Sequence, residues 1–222
     1  QKIADAITDR TKMIILNSPC NPTGVVYTQD EVEAMAKVAA DRDVLVLTDE
    51  IYQQFVYDHV ATSIGTSHEK VLVMRGFSKS YAMTGWRLAY VAAPASMRPV
   101  LEEMTKIQQY TFVCAPTPFQ RAAVLAMDYD VSPLVEGYAR KRELLYKGLK
   151  DQFELVQPEG AFYAFVKAPS GSGTEFVKEA IKNNILVIPG NVFSEKDTHF
   201  RISFATTDEK IEQGIEILRK LA

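Results

Sequence analysis

The chain has 222 residues, of which 47% are hydrophobic and 24% are charged, and its formal net charge is −3. This balance is ordinary for a soluble globular protein and gives no reason to expect a nucleic-acid partner. No apolar run approaches the ~18–20 residues of a membrane span, the first residues lack the plan of a signal peptide, and the cysteines and histidines have no disulfide or metal-ligand spacing. We therefore expect a cytoplasmic protein with no metal and no membrane partner.

The first half of the sequence combines short apolar runs with one amphipathic helix. Thr28 and Glu31 form a capping-box pattern, and apolar residues follow them at helical spacing. Four apolar runs are continuous rather than alternating, so we expect strands covered on both faces in a largely parallel α/β sheet. These runs are KMIILNSP, VLVLTDEIY, in which the strand is predicted from Val44 to Asp49, VLVMRGFS from Val71, and WRLAYVAAP.

The second half of the sequence predicts a different order of helices and strands. Residues 96–151 predict helices, and the last of these begins at Ser132 and Pro133, where serine provides an N-cap and proline suits the first turn. Thr206 and Glu209 predict a capping box for a final helix. The other predicted elements are a helix near EFVKEAIKNN and short strands in FELVQ, AFYAFVK, ILVIP and HFRISFA.

This change in the order of predicted elements indicates two domains. The boundary is placed near residue 132 because strand–helix alternation gives way there to short strands packed with helices. Residues 1–131 are expected to belong to a large α/β domain with a mostly parallel sheet. Residues 132–222 are expected to form a small C-terminal α+β domain.

Polar residues stand where four of the predicted strands meet their loops. They belong to NPTG after the first strand, DEIY at the end of the second, SK after the third and GWR before the fourth. Ligands of open α/β sheets bind at the carboxyl ends of strands, so these residues can converge. Alone, each piece is weak, because a lone loop lysine is usually solvated and NPTG is first of all a turn, in which Gly24 permits a positive φ.

In this order and spacing, the pieces resemble the signatures of the fold-type-I, class I/II aminotransferases that depend on pyridoxal 5′-phosphate (PLP), the aspartate aminotransferase superfamily. The strongest signatures are NSPCNPTG, TDEIY and FSKSYAMTGWR, while PEGAFYAF and FRISFA match later segments. The resemblance runs from residue 1 to residue 222. It implies an amino-acid aminotransferase that acts on amino-acid and 2-oxo-acid substrates by a ping-pong sequence through the pyridoxamine form of the cofactor.

The resemblance also implies a role for each matching residue. Lys79 forms the Schiff base with the PLP aldehyde and then carries a proton, which requires an amine that can exist as the free base. Asp49 pairs with the protonated pyridine nitrogen and so makes the ring an electron sink. Tyr52 and Asn21 hydrogen-bond the 3-oxygen of the ring, and Tyr163 is expected to form a wall of the site.

Charged and polar groups are further implied to hold the two anionic ends of the ligands. Arg87 and Ser78 bind the cofactor phosphate, and Arg201 binds the substrate α-carboxylate bidentately. The alternative for Arg201 is an outward, solvated edge position on its strand. Gly85 is expected to permit the turn that returns Arg87 to the site, and Trp86 is expected to pack in the core.

The sequence departs from the family in one respect. Family members are much longer, and their phosphate-binding loop, the ring that stacks on the pyridine and the tyrosine that reaches a partner subunit are not found before Asn21. We expect the C-terminal part of a PLP-binding large domain plus the small domain, and a homodimer in the full-length protein. Alone, the chain is expected to expose apolar surface, bind PLP poorly and not turn over.

Several questions stay open at this point. The segment QQYTFVCAPTP has no arginine for a distal carboxylate, so aspartate, aromatic, alanine and broad amino donors are all possible. A PLP-dependent carbon–sulfur β-lyase would use the same residues, and release of pyruvate and sulfide from cystathionine would distinguish it. A non-enzymatic effector domain of a transcription regulator is a third possibility. A nucleotide-binding protein is disfavoured because neither glycine-rich phosphate motif is present.

Overall fold

A computed structural model describes residues 2–222, which form two compact units. The first unit contains the residues up to Ser18, Tyr27–Gln54 and Val60–Val131. The second unit contains Pro19–Val26, Phe55–His59 and Ser132–Ala222. Two short segments from the first part of the sequence therefore belong to the second unit. One of them, Pro19–Val26, carries the NPTG turn.

The first unit is built on a four-stranded sheet in the order β1-β2-β3-β4. Strands β1 (Met13–Asn17), β2 (Leu45–Asp49) and β3 (Val71–Gly76) are parallel, and β4 (Ala89–Ala92) runs antiparallel to β3. The predicted α/β class with a mostly parallel sheet is confirmed. The carboxyl ends of the three parallel strands lie at one end of the sheet. Strand β4 starts at that same end because Ala89 pairs with Gly76.

Four helices accompany this sheet: α1 (Lys2–Ala6), α2 (Gln29–Asp41), α3 (Arg98–Thr111) and α4 (Thr117–Ala126). The predicted capping box of α2 is confirmed, because the Thr28 hydroxyl accepts the Glu31 N–H and the Glu31 carboxylate accepts the Thr28 N–H. Helix α2 then buries Val32, Ala36 and Ala39 against β1, β2 and β3. This apolar layer holds α2 against the sheet.

Cover on both faces of every strand is not found. In β1, Met13 is 41% exposed and Ile15 is 64% exposed, so the expectation is wrong for this strand. Helix α3 has no buried residue, and its Ile107 and Tyr110 are 63% and 87% exposed. A continuous apolar run predicts burial but cannot show which segment supplies the cover.

The second unit packs three helices with a three-stranded antiparallel sheet in the order β5-β7-β6. The strands are β5 (Tyr163–Lys167), β6 (Ile188–Pro189) and β7 (His199–Ser203), and the helices are α5 (Ser132–Leu149), α6 (Gly173–Lys182) and α7 (Asp208–Leu221). Aromatic rings from α6, β7 and the loop after α5 fill the core, where Phe176 stacks on Phe200 at 4.5 Å and Phe153 lies edge-on to both.

Two local predictions for this unit are wrong. FELVQ forms a single bridge, between Leu155 and Val166, instead of a strand. Helix α7 begins as expected, but its N-cap is Thr207, which makes no side-chain capping hydrogen bond, so the capping box predicted from Thr206 and Glu209 is absent. None of the helices described between residues 2 and 222 has both the length and the apolar character needed to cross a bilayer.

Candidate active site

The predicted aspartate lies at the carboxyl end of the parallel strands in the first unit. Asp49 is the last residue of β2 and lies in register between Asn17 of β1 and Met74 of β3. The Asn17 side-chain amide and the Ser18 N–H both donate to the Asp49 carbonyl, at 3.2 and 3.3 Å. The backbone of Asp49 is therefore held from the side of β1, and its side chain projects from a fixed point at the carboxyl end of the sheet.

The Asp49 carboxylate is half-buried. Its Oδ1 accepts the N–H of Ile51 at 3.1 Å. Burial raises the pKa of Asp49, and the hydrogen bond from Ile51 opposes that shift only in part. A half-buried carboxylate that loses solvation is stabilised in its charged form by a cation placed beside it.

The neighbouring glutamate has a different environment, which the sequence did not indicate. Glu50 is 3% exposed, and Arg75 on β3 donates to its Oε2 from Nε and Nη2 at 3.0 and 2.8 Å. The hydroxyls of Ser63 and Thr48 donate to its Oε1. This carboxylate, next to Asp49 in the sequence, accepts four hydrogen bonds and links β2, β3 and the segment that contains Ser63. The signal that could have found it is Arg75, a charge inside an otherwise buried strand.

The predicted lysine and tyrosine come together in the first unit. Tyr52 is 3% exposed, and the Lys79 ammonium lies over its ring, 5.8 Å from the centroid. A cation over an aromatic face is attracted by the ring quadrupole. Lys79 is half-buried and follows β3 by three residues, so it stands at the same sheet edge as Asp49.

The loop that carries Lys79 is anchored by apolar residues on both sides. Phe77, Met83 and Leu88 are at most 9% exposed and pack with Ala123 of α4. The Phe77 N–H donates to the Leu88 carbonyl and the Met83 N–H donates to the Phe77 carbonyl, both at 3.2 Å. These contacts fix the two ends of the loop, so Ser78 and Lys79 lie on a defined turn.

Ser78 and Arg87 are linked through Thr84. The Thr84 hydroxyl donates to the Ser78 carbonyl at 2.8 Å, and Arg87 Nη1 donates to the Thr84 carbonyl at 3.1 Å. Arg87 is exposed and has a φ of +54°, in the left-handed region. The structure therefore places these two residues in one turn.

Two expectations for this turn are wrong. Gly85 does not supply the positive φ, which belongs to Ala82 and Arg87, and a Cβ added at Gly85 would meet nothing within 4 Å. Trp86 is not a core residue, because it is 39% exposed and lies against Phe119 at 4.8 Å. The turn is closed by hydrogen bonds and not by glycine freedom.

In the second unit, the structure brings Arg201 and Asn21 together. Arg201 Nη1 donates to Asn21 Oδ1 at 2.7 Å. Arg201 lies on β7, the middle strand of its sheet, where it pairs with Phe165 on one side and Ile188 on the other. The edge position that we considered as an alternative is therefore excluded. Its Nε is buried and has no hydrogen-bond partner among residues 2–222.

Two aromatic rings lie against the Arg201 guanidinium. Its central carbon is 4.4 Å from the ring centroid of Tyr163 and 4.8 Å from that of Phe193. Tyr163 was expected to be a wall residue and lies in β5, whereas nothing in the sequence singled out Phe193. Together with Asn21, these rings restrict the guanidinium from several directions.

The NPTG turn is attached to the PEGAF segment within the second unit. Gly24 has a φ of +73°, as predicted, and a Cβ there would lie 2.6 Å from Pro158 Cβ. The Gly24 carbonyl accepts the N–H groups of Glu159 and Gly160, both at 2.9 Å, and the Glu159 carboxylate accepts the Val26 N–H. Two motifs that are far apart in sequence thus form one structure, and this structure positions Asn21.

Comparison with known families now defines the class of the protein. The family model for aminotransferase class I and II matches residues 1–218. The chain belongs to this family, and the resemblance inferred from the motifs is confirmed.

Individual relatives support the same conclusion. The chain is 38% identical to a probable aspartate aminotransferase of Methanocaldococcus jannaschii, over 100% of this chain and 61% of the relative. It is 37% identical to aromatic-amino-acid aminotransferase 2 of Thermococcus litoralis, over 97% and 58%. The crystal structure of an aromatic aminotransferase from Pyrococcus horikoshii superposes with a TM-score of 0.93 at 35% identity, over 99% of this chain and 62% of that one. The chain therefore spans about three-fifths of the length of these relatives.

Proposed function

We propose that this chain contributes the lysine, aspartate and arginine residues of a PLP-dependent aminotransferase, which transfers an amino group from an amino acid to a 2-oxo acid. The observation that carries the proposal is the sheet edge of the first unit, where Lys79 lies over buried Tyr52 and Asp49 ends the neighbouring strand. A half-buried carboxylate and an amine at the carboxyl ends of parallel strands suit a cofactor that carries both a cationic ring nitrogen and an aldehyde.

The residues of the first unit fit PLP. Asp49 would face the pyridine nitrogen, because a cation there offsets the desolvation that raises the pKa of this carboxyl group. Ser78 and Arg87 would hold the phosphate, since they share one turn and the exposed guanidinium fork matches phosphate oxygens. When bound, PLP supplies an electron sink for the charge that develops at the substrate α-carbon.

Each of the remaining site residues has a task that its surroundings support. Lys79 would move a proton at its Nζ, and the ring of Tyr52 beneath it limits the positions that the amine can take. Arg201 would bind the α-carboxylate that amino acids and 2-oxo acids share, because its buried Nε is a donor that has no hydrogen-bond partner among residues 2–222. The resemblance assigns the Asn21 amide, whose Oδ1 accepts a hydrogen bond from Arg201, to the cofactor 3-oxygen, and this role stays a prediction.

We also propose that the protein is cytoplasmic. Cys20 and Cys114 are free thiols, which suits the reducing cytoplasm. A homodimer of the whole protein stays a prediction. Aspartate, aromatic, alanine and broad amino donors all stay possible. The similar proteins are named for aspartate in one case and aromatic amino acids in another, so the family comparison leaves the donor side chain open.

Borohydride trapping tests the central assignment. The whole polypeptide that contains this chain is incubated with PLP, reduced, digested and mapped by mass spectrometry. We expect the pyridoxyl group on Lys79 ahead of the other lysines, and loss of that label in Lys79→Ala. Lys106→Ala is the matched control, because Lys106 is exposed and pairs along its own helix with Glu103. Labelling spread evenly over the exposed lysines would contradict the proposal.

The reaction type needs a second assay. Oxo-acid-dependent transfer of the amino group is expected, whereas release of pyruvate and sulfide from cystathionine would indicate a β-lyase. Where the reading frame encodes more than these 222 residues, this assay uses the whole polypeptide. The chain by itself is expected to show no turnover, and a Schiff-base absorbance band at stoichiometric PLP would contradict the expected weak cofactor binding.

A further inference from the structure

We propose that Tyr163 and Phe193 are positioning residues that hold the Arg201 guanidinium ready for a carboxylate ligand. The proposal rests on the assignment of Arg201 under the proposed function and extends it to two residues that do not themselves contact the carboxylate. It is carried by the two ring contacts, the Asn21 hydrogen bond and the buried Nε of Arg201, which has no hydrogen-bond partner in the described part of the chain.

An arginine on a central strand needs external support if its fork is to point in one direction. Its side chain is long and rotamer-rich, and strand pairing fixes only the backbone of Arg201. The rings of Tyr163 and Phe193 lie 4.4 and 4.8 Å from the guanidinium carbon. The Asn21 carbonyl oxygen then fixes one terminal nitrogen at 2.7 Å. These three contacts orient the group before any ligand arrives.

Phe193 has its own supports, independent of Arg201. It closes the turn Gly190–Val192 with an N–H bond to the Gly190 carbonyl at 2.9 Å. That turn packs tightly on β7, since a Cβ at Gly190 would lie 2.7 Å from the His199 carbonyl oxygen. The ring of Phe193 also meets Phe165 edge-to-face at 6.3 Å. A preformed turn therefore presents this ring to the arginine.

Aromatic walls suit this role for an electrostatic reason. Ring faces attract the cation but accept no conventional hydrogen bond in the plane of the guanidinium, so they leave its N–H donors unused. Tyr163 is 7% exposed, and such rings also exclude water from the cation. A bidentate carboxylate can then use the buried Nε without displacing a protein acceptor. Preorganisation of this kind lowers the entropy cost of binding.

The test uses the 222-residue chain and pyruvate, the simplest 2-oxo acid, as the probe. The Nε–H resonance of Arg201, assigned by its loss in Arg201→Lys, is followed during the titration. We expect a saturable shift in the unmodified chain. In Phe193→Leu the dissociation constant is expected to rise by about 3- to 10-fold, because the apolar contact with Phe165 stays but the ring is lost.

A matched variant separates positioning from packing. Phe193→Tyr keeps the ring and is expected to restore pyruvate binding, while the unfolding midpoints of the two Phe193 variants stay alike. Unchanged affinity in Phe193→Leu would overturn the positioning role and leave the carboxylate role of Arg201 standing. No response of the Arg201 resonance in the unmodified chain would overturn both the positioning role and the carboxylate role. The cofactor assignment is judged separately, by the trapping of Lys79.

Discussion

The two units support their candidate site residues in different ways. In the second unit, Arg201 is enclosed by two rings and an amide, above a core whose Phe200 and Phe204 are 0% exposed. In the first unit, Asp49 and Lys79 lie at a sheet edge, and the same unit exposes apolar side chains in groups, on β1 and along α3. The arginine is thus organised by its own unit without a ligand. The cofactor residues stand on a unit with less apolar cover, so we expect weaker ligand affinity there.

The largest expected effect comes from the core of the second unit. Phe200→Ala removes a ring that stacks on Phe176 at 4.5 Å and meets Phe153 at 6.2 Å. We expect a loss of about 3–5 kcal/mol in the free energy of unfolding of this unit, from lost burial and the cavity left behind. Urea unfolding followed by NMR of second-unit resonances measures it.

The matched control comes from the first unit. Ile15→Ala removes an aliphatic side chain that is 64% exposed, so its effect on unfolding is expected to stay within about 0.5 kcal/mol. Trp86 is the single tryptophan, and its fluorescence reports on the first unit. A loss for Ile15→Ala comparable with that of Phe200→Ala would break the contrast between the two units.

A smaller effect, with a defined pH dependence, is expected from an ion pair of the second unit. Arg142 is 7% exposed, donates to the Asp58 carboxylate and the Pro158 carbonyl, and lies over the Tyr57 ring at 4.8 Å. The hydrogen bond from Arg142 lowers the pKa of Asp58. The stability from this lowered pKa is present above the unfolded pKa of about 3.9 and is lost as the pH falls through the folded value.

Asp58→Asn tests this contribution. We expect a loss of about 1–2 kcal/mol at pH 7, which is modest because Asp58 is 61% exposed and its charge is screened. The variant should also lose less stability than the unmodified chain between pH 5 and pH 3 (approximate limits set by the carboxyl pKa). Lys167→Gln is the control, since Lys167 and Glu154 form an exposed pair. Identical acid profiles for Asp58→Asn and the unmodified chain would contradict the assignment.

Local chemistry explains which parts of the fold could be predicted. The capping box at Thr28 and Glu31 and the positive φ of Gly24 depend on neighbouring residues, so the sequence contains the full signal. The antiparallel direction of β4 and the exposed face of β1 depend on which segments pack together. Such long-range choices have no local signal, so the direction of β4 was missed. Exposed apolar surface was expected from the length of the chain relative to its family, but no local pattern located it on β1.

The same reasoning separates the parts of the candidate site. Motif order identified Lys79 and Arg201, because their chemistry requires those residue types at recognisable spacing. Phe193 and Glu50 were missed, since a phenylalanine in a turn and a glutamate after a strand are ordinary when read alone. Their importance arises from partners such as Arg75, which lies 25 residues from Glu50.

The smallest expected effect is a gain in stability in the first unit. Burial raises the pKa of Asp49, so its contribution to stability is fully present below the unfolded pKa and is lost as the pH rises through the folded value. At pH 7 the charged carboxylate is therefore a cost to folding. Asp49→Asn removes this charge and keeps an oxygen that can accept the Ile51 N–H. We expect the unfolding free energy at pH 7 to rise by about 0.5–1 kcal/mol, with labelling of Lys79 at limiting PLP reduced.

Fluorescence of Trp86 during urea unfolding measures the stability change, and borohydride trapping measures the loss of cofactor binding. Asp43→Asn is the matched control, because Asp43 is 81% exposed and pairs with Lys70 at the surface, so neither quantity should change appreciably. A stability gain without reduced labelling would separate Asp49 from the cofactor. Reduced labelling with a loss of stability would mean that Asp49 supports the fold of the first unit. The expected combination, a more stable protein that binds PLP less well, is the one that a carboxylate retained for its ligand produces.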